Sequence, residues 1–309
     1  MGSGNDSETG IENMNVDLYN HTIKVRERYC QLNDCVASCV DEPYINLYIK
    51  LSGCNAKCSF CIDDCIKKSF DLNKLEEVVK EISGKMKIRK ISFTGGEPTM
   101  DIPLLEKAFK IVKDEVKDTF TVINTNGFNL KCVFDSDILK AVDSVALSRH
   151  HYLDSMNNAI FGIHTKVADE DDIIRITCDD NKASKMHLSC NLINGYIDCP
   201  NEIKHYLDAA NSLGIYDIGF VSLMPLNDFC EENFIEFPNC ESINGFYKMK
   251  EWKYEDCCEC ANYLYLPEND FEQPLKVYNR KAKKPTDFTN MLMFDGENLR
   301  VGFCGEIIT

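Results

Sequence analysis

With 309 residues, 44% of them hydrophobic, the chain is long enough for one large α/β domain plus a small appendage and has ample material for a core. Its 34 Lys and Arg against 50 Asp and Glu leave a net charge of −16, which argues against general affinity for nucleic acid or an anionic membrane, since both reward clustered cations. No apolar run could span a bilayer and no signal-peptide segment opens the chain, so a cytoplasmic location is expected, where 17 cysteines read as metal ligands and buried thiols rather than disulfides.

The opening MGSGNDSETG is small, polar and aperiodic, and reads as a disordered tail. It begins an N-terminal extension over residues 1–40. There Cys30, Cys35 and Cys39 stand at C-x4-C-x3-C spacing, as ligands of a further or auxiliary metal site or as incidental thiols. From Asp41, strand-like and helix-like segments alternate. The strand candidates are Ile45–Leu51, Ile88–Phe93, Phe120–Asn124, Ser144–Leu147, Met186–Asn191 and Asp217–Leu223. Between them lie helical stretches such as Leu72–Ser83, with Leu75, Val78, Val79 and Ile82 on one face, and Leu104–Val116. Asn201–Leu213, between Pro200 and Gly214, is a third. This alternation predicts six parallel β/α units over residues 41–225.

In such folds ligands gather beyond the C-terminal ends of the strands. The first strand candidate runs into CNAKCSFC, the second into Thr94-Gly95-Gly96-Glu97-Pro98, and the third into Asn124-Thr125-Asn126-Gly127. The fourth runs into Ser148-Arg149-His150-His151 and the sixth into Met224-Pro225. Every unusual polar or Gly-rich cluster therefore shares one mouth.

Cys54, Cys58 and Cys61 form a C-x3-C-x2-C array that forces the backbone to curl around whatever the thiolates bind. Structural zinc takes four ligands, usually as two pairs, and this array offers three. An iron–sulfur cube on three cysteines keeps one iron open to a reacting ligand; a zinc knuckle or incidental cysteines are the alternatives. Gly95 and Gly96 allow a sharp turn and close approach to a ligand, and Pro98 holds Glu97 extended, aiming its carboxylate over the barrel. Arg149, His150 and His151 could bind substrate anions or move protons, or simply form a solvated loop.

After Pro225 helical periodicity fades, and residues 226–309 read as a loop-rich module that needs a staple. Cys257 and Cys260 make a C-x2-C pair, and Cys304 closes MLMFDGENLRVGFC, a hairpin turning at Asp295-Gly296. The three could hold a cluster or a structural zinc. Cys258, beside Cys257, is the less favoured partner of Cys260.

The three-cysteine spacing, with Phe60 just before the last cysteine, resembles the signature of the radical S-adenosylmethionine (SAM) superfamily. That resemblance implies a partial (β/α)6 barrel, with Cys54, Cys58 and Cys61 on a 4Fe–4S cluster that binds and reductively cleaves SAM. It also implies that Phe60, Gly95, Gly96, Glu97, Asn126, Ser148 and Met224 serve the cofactor site. The tail resembles the shortened auxiliary-cluster ("twitch", SPASM-like) domain of this superfamily, implying a second 4Fe–4S cluster on Cys257, Cys260 and Cys304. The span from Tyr44 to Cys304 is similar to the GTP cyclases of molybdenum-cofactor biosynthesis. It lacks their triphosphate-binding cations, having Leu47, Ser92 and Ser189 at the corresponding places and Ala-Asn-Tyr-Leu-Tyr after Cys260.

The implied activity is hydrogen abstraction by a 5′-deoxyadenosyl radical, on a ribosomal precursor peptide or on a small polar metabolite or nucleotide. Partners would be that substrate and an electron donor such as flavodoxin or ferredoxin, with no nucleic acid and no membrane. A non-catalytic iron–sulfur electron-transfer protein is the reading from another class.

Overall fold

The computed structural model of the chain describes residues 13–26, 28–30, 39–41, 44–51, 53–62, 68–163, 165, 167–253, 258–268, 273–282, 290–302 and 305–309. Cys35, Cys257 and Cys304 lie outside them. The chain opens with two hairpins, β1 (Asn13–Leu18) with β2 (His21–Arg26) and β3 (Arg28–Cys30) with β4 (Cys39–Asp41). The first turns on Tyr19 and Asn20, both left-handed (φ 47 and 67), the conformation a two-residue hairpin needs. Its Val16, Leu18, Ile23 and Val25 join the main core, so an ordered apolar hairpin follows the polar tail.

The alternating part begins with β5 (Tyr44–Leu51), α1 (Leu72–Ser83), β6 (Lys87–Gly95), α2 (Ile102–Glu115) and β7 (Phe120–Thr125). After β7 come α3 (Leu130–Asp135), α4 (Ile138–Ala141) and β8 (Ser144–Ser148). Next are α5 (Asp154–Phe161), α6 (Glu170–Thr177), α7 (Asp180–Ala183) and β9 (Met186–Leu192). It closes with α8 (Pro200–Ser212) and β10 (Asp217–Ser222). The six strands β5 to β10 are parallel and adjacent in chain order, the α/β arrangement expected of six β/α units. In β5, Ile45, Leu47, Ile49 and Leu51 are buried while Asn46, Tyr48 and Lys50 are half-buried, so alternation separates a helix-covered face from a polar one. Asp71 caps α1 by accepting from the Asn73 and Lys74 amides, and Leu75, Val78, Val79 and Ile82 bury its apolar stripe. Phe93 of β6 stacks on Phe109 of α2 at 4.0 Å, fixing the helices against the outer face.

The remainder comprises α9 (Asp228–Glu232), β11 (Phe246–Lys253), β12 (Cys258–Tyr265), β13 (Leu275–Ala282), β14 (Met291–Phe294) and β15 (Leu299–Val301). It holds more strand than its composition suggests. These strands extend the sheet to eleven, in the order β11-β12-β13-β10-β9-β8-β7-β6-β5-β14-β15. β13 runs parallel to β10 at one edge and β14 parallel to β5 at the other. The hairpin at Asp295-Gly296 is as the sequence predicts, with Asp295 Oδ1 accepting from the Asn298 amide at 2.8 Å and Gly296 at φ 99. Among the described residues, no helix is long and apolar enough to cross a membrane.

Candidate active site

The cysteine loop over residues 53–62 follows β5 and is braced from several sides before any ligand is considered. From β6, the Gly96 amide donates to the Leu51 carbonyl at 2.9 Å and the Glu97 amide to the Gly53 carbonyl at 2.7 Å. A Cβ on Gly96 would stand 1.9 Å from the Gly53 oxygen, and Gly95 has φ 106 with Lys50 and Leu51 pressed against it. The two glycines are thus required for the second strand's end to zip onto the cysteine loop. From α5, the Phe161 carbonyl accepts from the Lys57 amide at 2.8 Å and faces Cys58 Sγ at 3.8 Å. From the segment after β10, Asn227 Nδ2 donates to the Ser59 carbonyl at 3.1 Å and the Cys61 carbonyl at 3.5 Å.

Glu97 is locked among the strand ends. Its carboxylate is 2% exposed and is held by four donors: the Thr99 amide (3.0 Å) and hydroxyl (2.6 Å), the Thr125 hydroxyl (2.7 Å) and the Asn126 amide (2.7 Å). Burial pushes its pKa up, against these four bonds, which favour the ionised form. Asn126 in turn donates from Nδ2 to Asn55 Oδ1 at 2.8 Å and accepts from the Phe128 amide at 3.1 Å. A chain of hydrogen bonds therefore runs from the second strand's end through the third to the cysteine loop.

The fourth strand's end is equally tied down. Arg149 is buried; its Nη2 reaches Asp154 Oδ1 and the Tyr152 carbonyl, each at 2.7 Å, with Glu170 at 3.7 Å. His150 accepts from the Asn191 amide at Nδ1 (3.0 Å) and sits between Phe60, edge-on at 5.1 Å, and Phe161 at 4.9 Å. Burial pushes its pKa down to about 3, so it is neutral throughout the physiological range. His151 accepts from the Leu153 amide at 3.0 Å, and burial lowers its pKa too. None of the three lies on a solvated loop; all brace the site, and His150 sets the ring of Phe60. Ser148 ends β8 half-buried and Met224 lies half-buried just past β10, both at the same mouth.

Cys54 and Cys58 are half-buried and Cys61 exposed. The Ala56 amide is aimed at Cys54 Sγ (3.4 Å), and the Cys61 amide closes a turn on the Cys58 carbonyl (3.0 Å). Among the described residues no three His, Cys, Asp or Glu side chains make a site for a metal ion. Three thiols on one curled loop, with an amide turned toward sulfur, fit a three-thiolate cluster.

At the tail, Cys260 is buried on β12 opposite Arg280. β12 and β15 flank the sheet from opposite sides, with eight strands between them. Cys30 and Cys39 are backbone register partners in the β3–β4 pair. Several bracing residues carry no sequence signal: Asn55, Phe161 and Asn227 become neighbours of the loop only through the fold.

Residues 48–177 match the family model described as the Radical SAM superfamily. The chain is 30% identical over 155 residues to a protein of Methanocaldococcus jannaschii provisionally named a glycyl-radical enzyme activating enzyme, covering 45% of this chain and 58% of that protein. It is 29% identical over 158 residues to a probable GTP 3′,8-cyclase of Thermoplasma volcanium, covering 49% and 45% respectively. The chain thus spans about half the length of these relatives. A crystal structure of Streptococcus suis SuiB bound to precursor peptide SuiA is similar at 18% identity and a TM-score of 0.48, over 62% of this chain and 42% of that one.

Proposed function

We propose that the chain is a radical SAM enzyme in which Cys54, Cys58 and Cys61 hold a 4Fe–4S cluster and the mouth beside them holds SAM. When bound, these groups supply one-electron cleavage of SAM to methionine and a 5′-deoxyadenosyl radical, the electron coming from a donor such as flavodoxin or ferredoxin. The observation that carries this reading is the cysteine loop held from Gly96, Glu97, Asn126, Phe161 and Asn227. Such bracing fixes a reactive site in position. Gly95 and Gly96 bring the loops together, Glu97 locks the second and third strand ends, and His150 and Phe161 wall the site with apolar surface.

The hydrogen donor is a ribosomal precursor peptide in the first reading, and a small polar metabolite or nucleotide in the second. The named relatives divide between acting on another enzyme and acting on GTP. Against the nucleotide stands Leu47, one of the places where the cyclases carry a phosphate-binding cation: it is fully buried on the helix-covered face. The tail cysteines Cys257, Cys260 and Cys304 are the proposed ligands of an auxiliary cluster, with Ser148 and Met224 as cofactor contacts.

Anaerobic reconstitution tests both clusters: about eight irons per chain are expected from two cubes, and zinc in the tail would remove the second. With SAM and dithionite, the wild-type chain should form 5′-deoxyadenosine. Persistence of that product in Cys58→Ala would end the assignment of the cleavage site.

A further inference from the structure

The segment after β10 reaches back to the cysteine loop and takes hold of three successive carbonyls. Asn227 is extended (φ −155, ψ 171) and caps α9, its Oδ1 accepting from the Cys230 amide at 2.9 Å. An amide donor at Oδ1 fixes which way the Asn227 side chain is turned. Its Nδ2 is then free to donate to the Ser59 carbonyl at 3.1 Å and the Cys61 carbonyl at 3.5 Å. Cys230 stands three residues on and is 2% exposed, packed with Ile160, Ile193 and Leu223. Its thiol donates to the Phe60 carbonyl at 3.5 Å, the carbonyl between the other two. One turn of α9 thus holds the loop from Ser59 to Cys61, the stretch that ends at the third thiol of the array.

In a trans peptide the carbonyl and the following amide point in opposite directions, and the described chain contains no cis bond. Holding Ser59 and Cys61 by their oxygens therefore turns the Phe60 and Ile62 amides away from α9. The Cys61 amide is taken by the Cys58 carbonyl at 3.0 Å. At the other end of the loop, the Ala56 amide is aimed at Cys54 Sγ at 3.4 Å. Backbone dipoles this close to the thiols set an iron–sulfur potential: amides near sulfur favour the reduced cluster, and carbonyl oxygens oppose it.

We propose that Asn227 and Cys230 are positioning residues that make the cluster on Cys54, Cys58 and Cys61 easier to reduce. The cluster rests on the radical SAM reading above; the strap over the loop does not. Its part is to keep three carbonyl oxygens paired on the α9 side, so that their negative ends do not turn toward the group that takes up an electron. Cys230 is then a hydrogen-bond donor beside the array and not one of its ligands.

The test uses the full chain, reconstituted anaerobically, as wild type, Asn227→Ser, Cys230→Ala and Cys230→Ser. Asn227→Ser keeps a capping oxygen for α9 and removes Nδ2, while Cys230→Ser keeps a donor. A potentiometric titration followed by electron paramagnetic resonance reads the reduced cluster, recognised as the signal that changes when SAM is added. Asn227→Ser should make it harder to reduce by about tenfold in the equilibrium, or about 59 mV for one electron. Cys230→Ala should shift it less in the same direction, an S–H donor being weak, and Cys230→Ser should recover most of that shift. Midpoints equal to wild type, with only the iron content lowered, would show plain packing and overturn the proposal. So would loss of the SAM-sensitive signal in both Cys230 variants, which would make Cys230 a ligand. A wild-type signal that ignores SAM sinks the enzymatic reading alone, and the midpoints still decide the strap. A wild-type chain that loads no cluster on the loop sinks both.

Discussion

Four donors converge on a single carboxylate at Glu97, and that residue shows how side chains near the mouth act through one another. Glu97→Ala leaves the Thr125 hydroxyl and the Asn126 amide buried without an acceptor, for which a loss of about 3 kcal/mol is expected. Denaturant unfolding under anaerobic conditions would measure it, and Glu97→Gln should recover only part because its amide cannot accept at both ends. His150 offers a pH signature. Its folded pKa of about 3 lies below the ordinary 6.5, so the unfolded chain binds the extra proton between these values. Its contribution is complete above pH 6.5 and is lost as pH falls toward 3, on the order of 5 kcal/mol over the full range. Unfolding free energies at pH 7 and pH 5 should converge in His150→Gln relative to the wild type. Equal slopes would show that His150 is not buried neutral. The GGE motif was legible at this scale as a motif, but the donors that hold Glu97 were not. Its partners Thr125 and Asn126 stand 28 and 29 positions away, and local backbone reasoning about Pro98 sees none of them.

Between elements, the strand ends communicate through backbone contacts that only glycine permits. Gly96→Ala places a methyl where the Gly53 oxygen already stands, so the junction of β5 and β6 must open. An overpacking loss of about 1–3 kcal/mol is expected, with iron content falling alongside it in reconstituted protein. Asn227 caps α9 through the Cys230 amide (2.9 Å) while holding the cysteine loop with its Nδ2. Asn227→Ala should lower stability by about 1 kcal/mol. It should also speed alkylation of Cys61 in the iron-free chain; an unchanged alkylation rate would mean that the loop keeps its shape without that strut. The six parallel strands and the flanking helices α1, α2 and α8 were readable because apolar periodicity is a local property. The short helices α3 to α7 were not, being too brief to show a period.

Across the whole molecule, the tail does more than follow the barrel. β14 covers the open side of β5 with Leu292 and Phe294, and β15 adds Leu299, all fully buried. Ending the chain after Ala282 would strip these side chains, each contributing about 1.5–3 kcal/mol by burial, and would bare a long parallel edge. Aggregation or loss of a cooperative melt is expected by size-exclusion chromatography and calorimetry; a monomeric, cooperatively melting fragment would show that the tail is dispensable. The amino-acid sequence by itself determined the α/β class, the order of the six units, the cysteine array and the turn at Asp295-Gly296, because each rests on residues within a few positions of one another. Only the tertiary structure decided that Glu97 is buried among four donors and that His150 is a neutral wedge between Phe60 and Phe161. Those outcomes depend on burial and on neighbours brought together from distant strands, and burial is a property of the rolled sheet rather than of any stretch of chain.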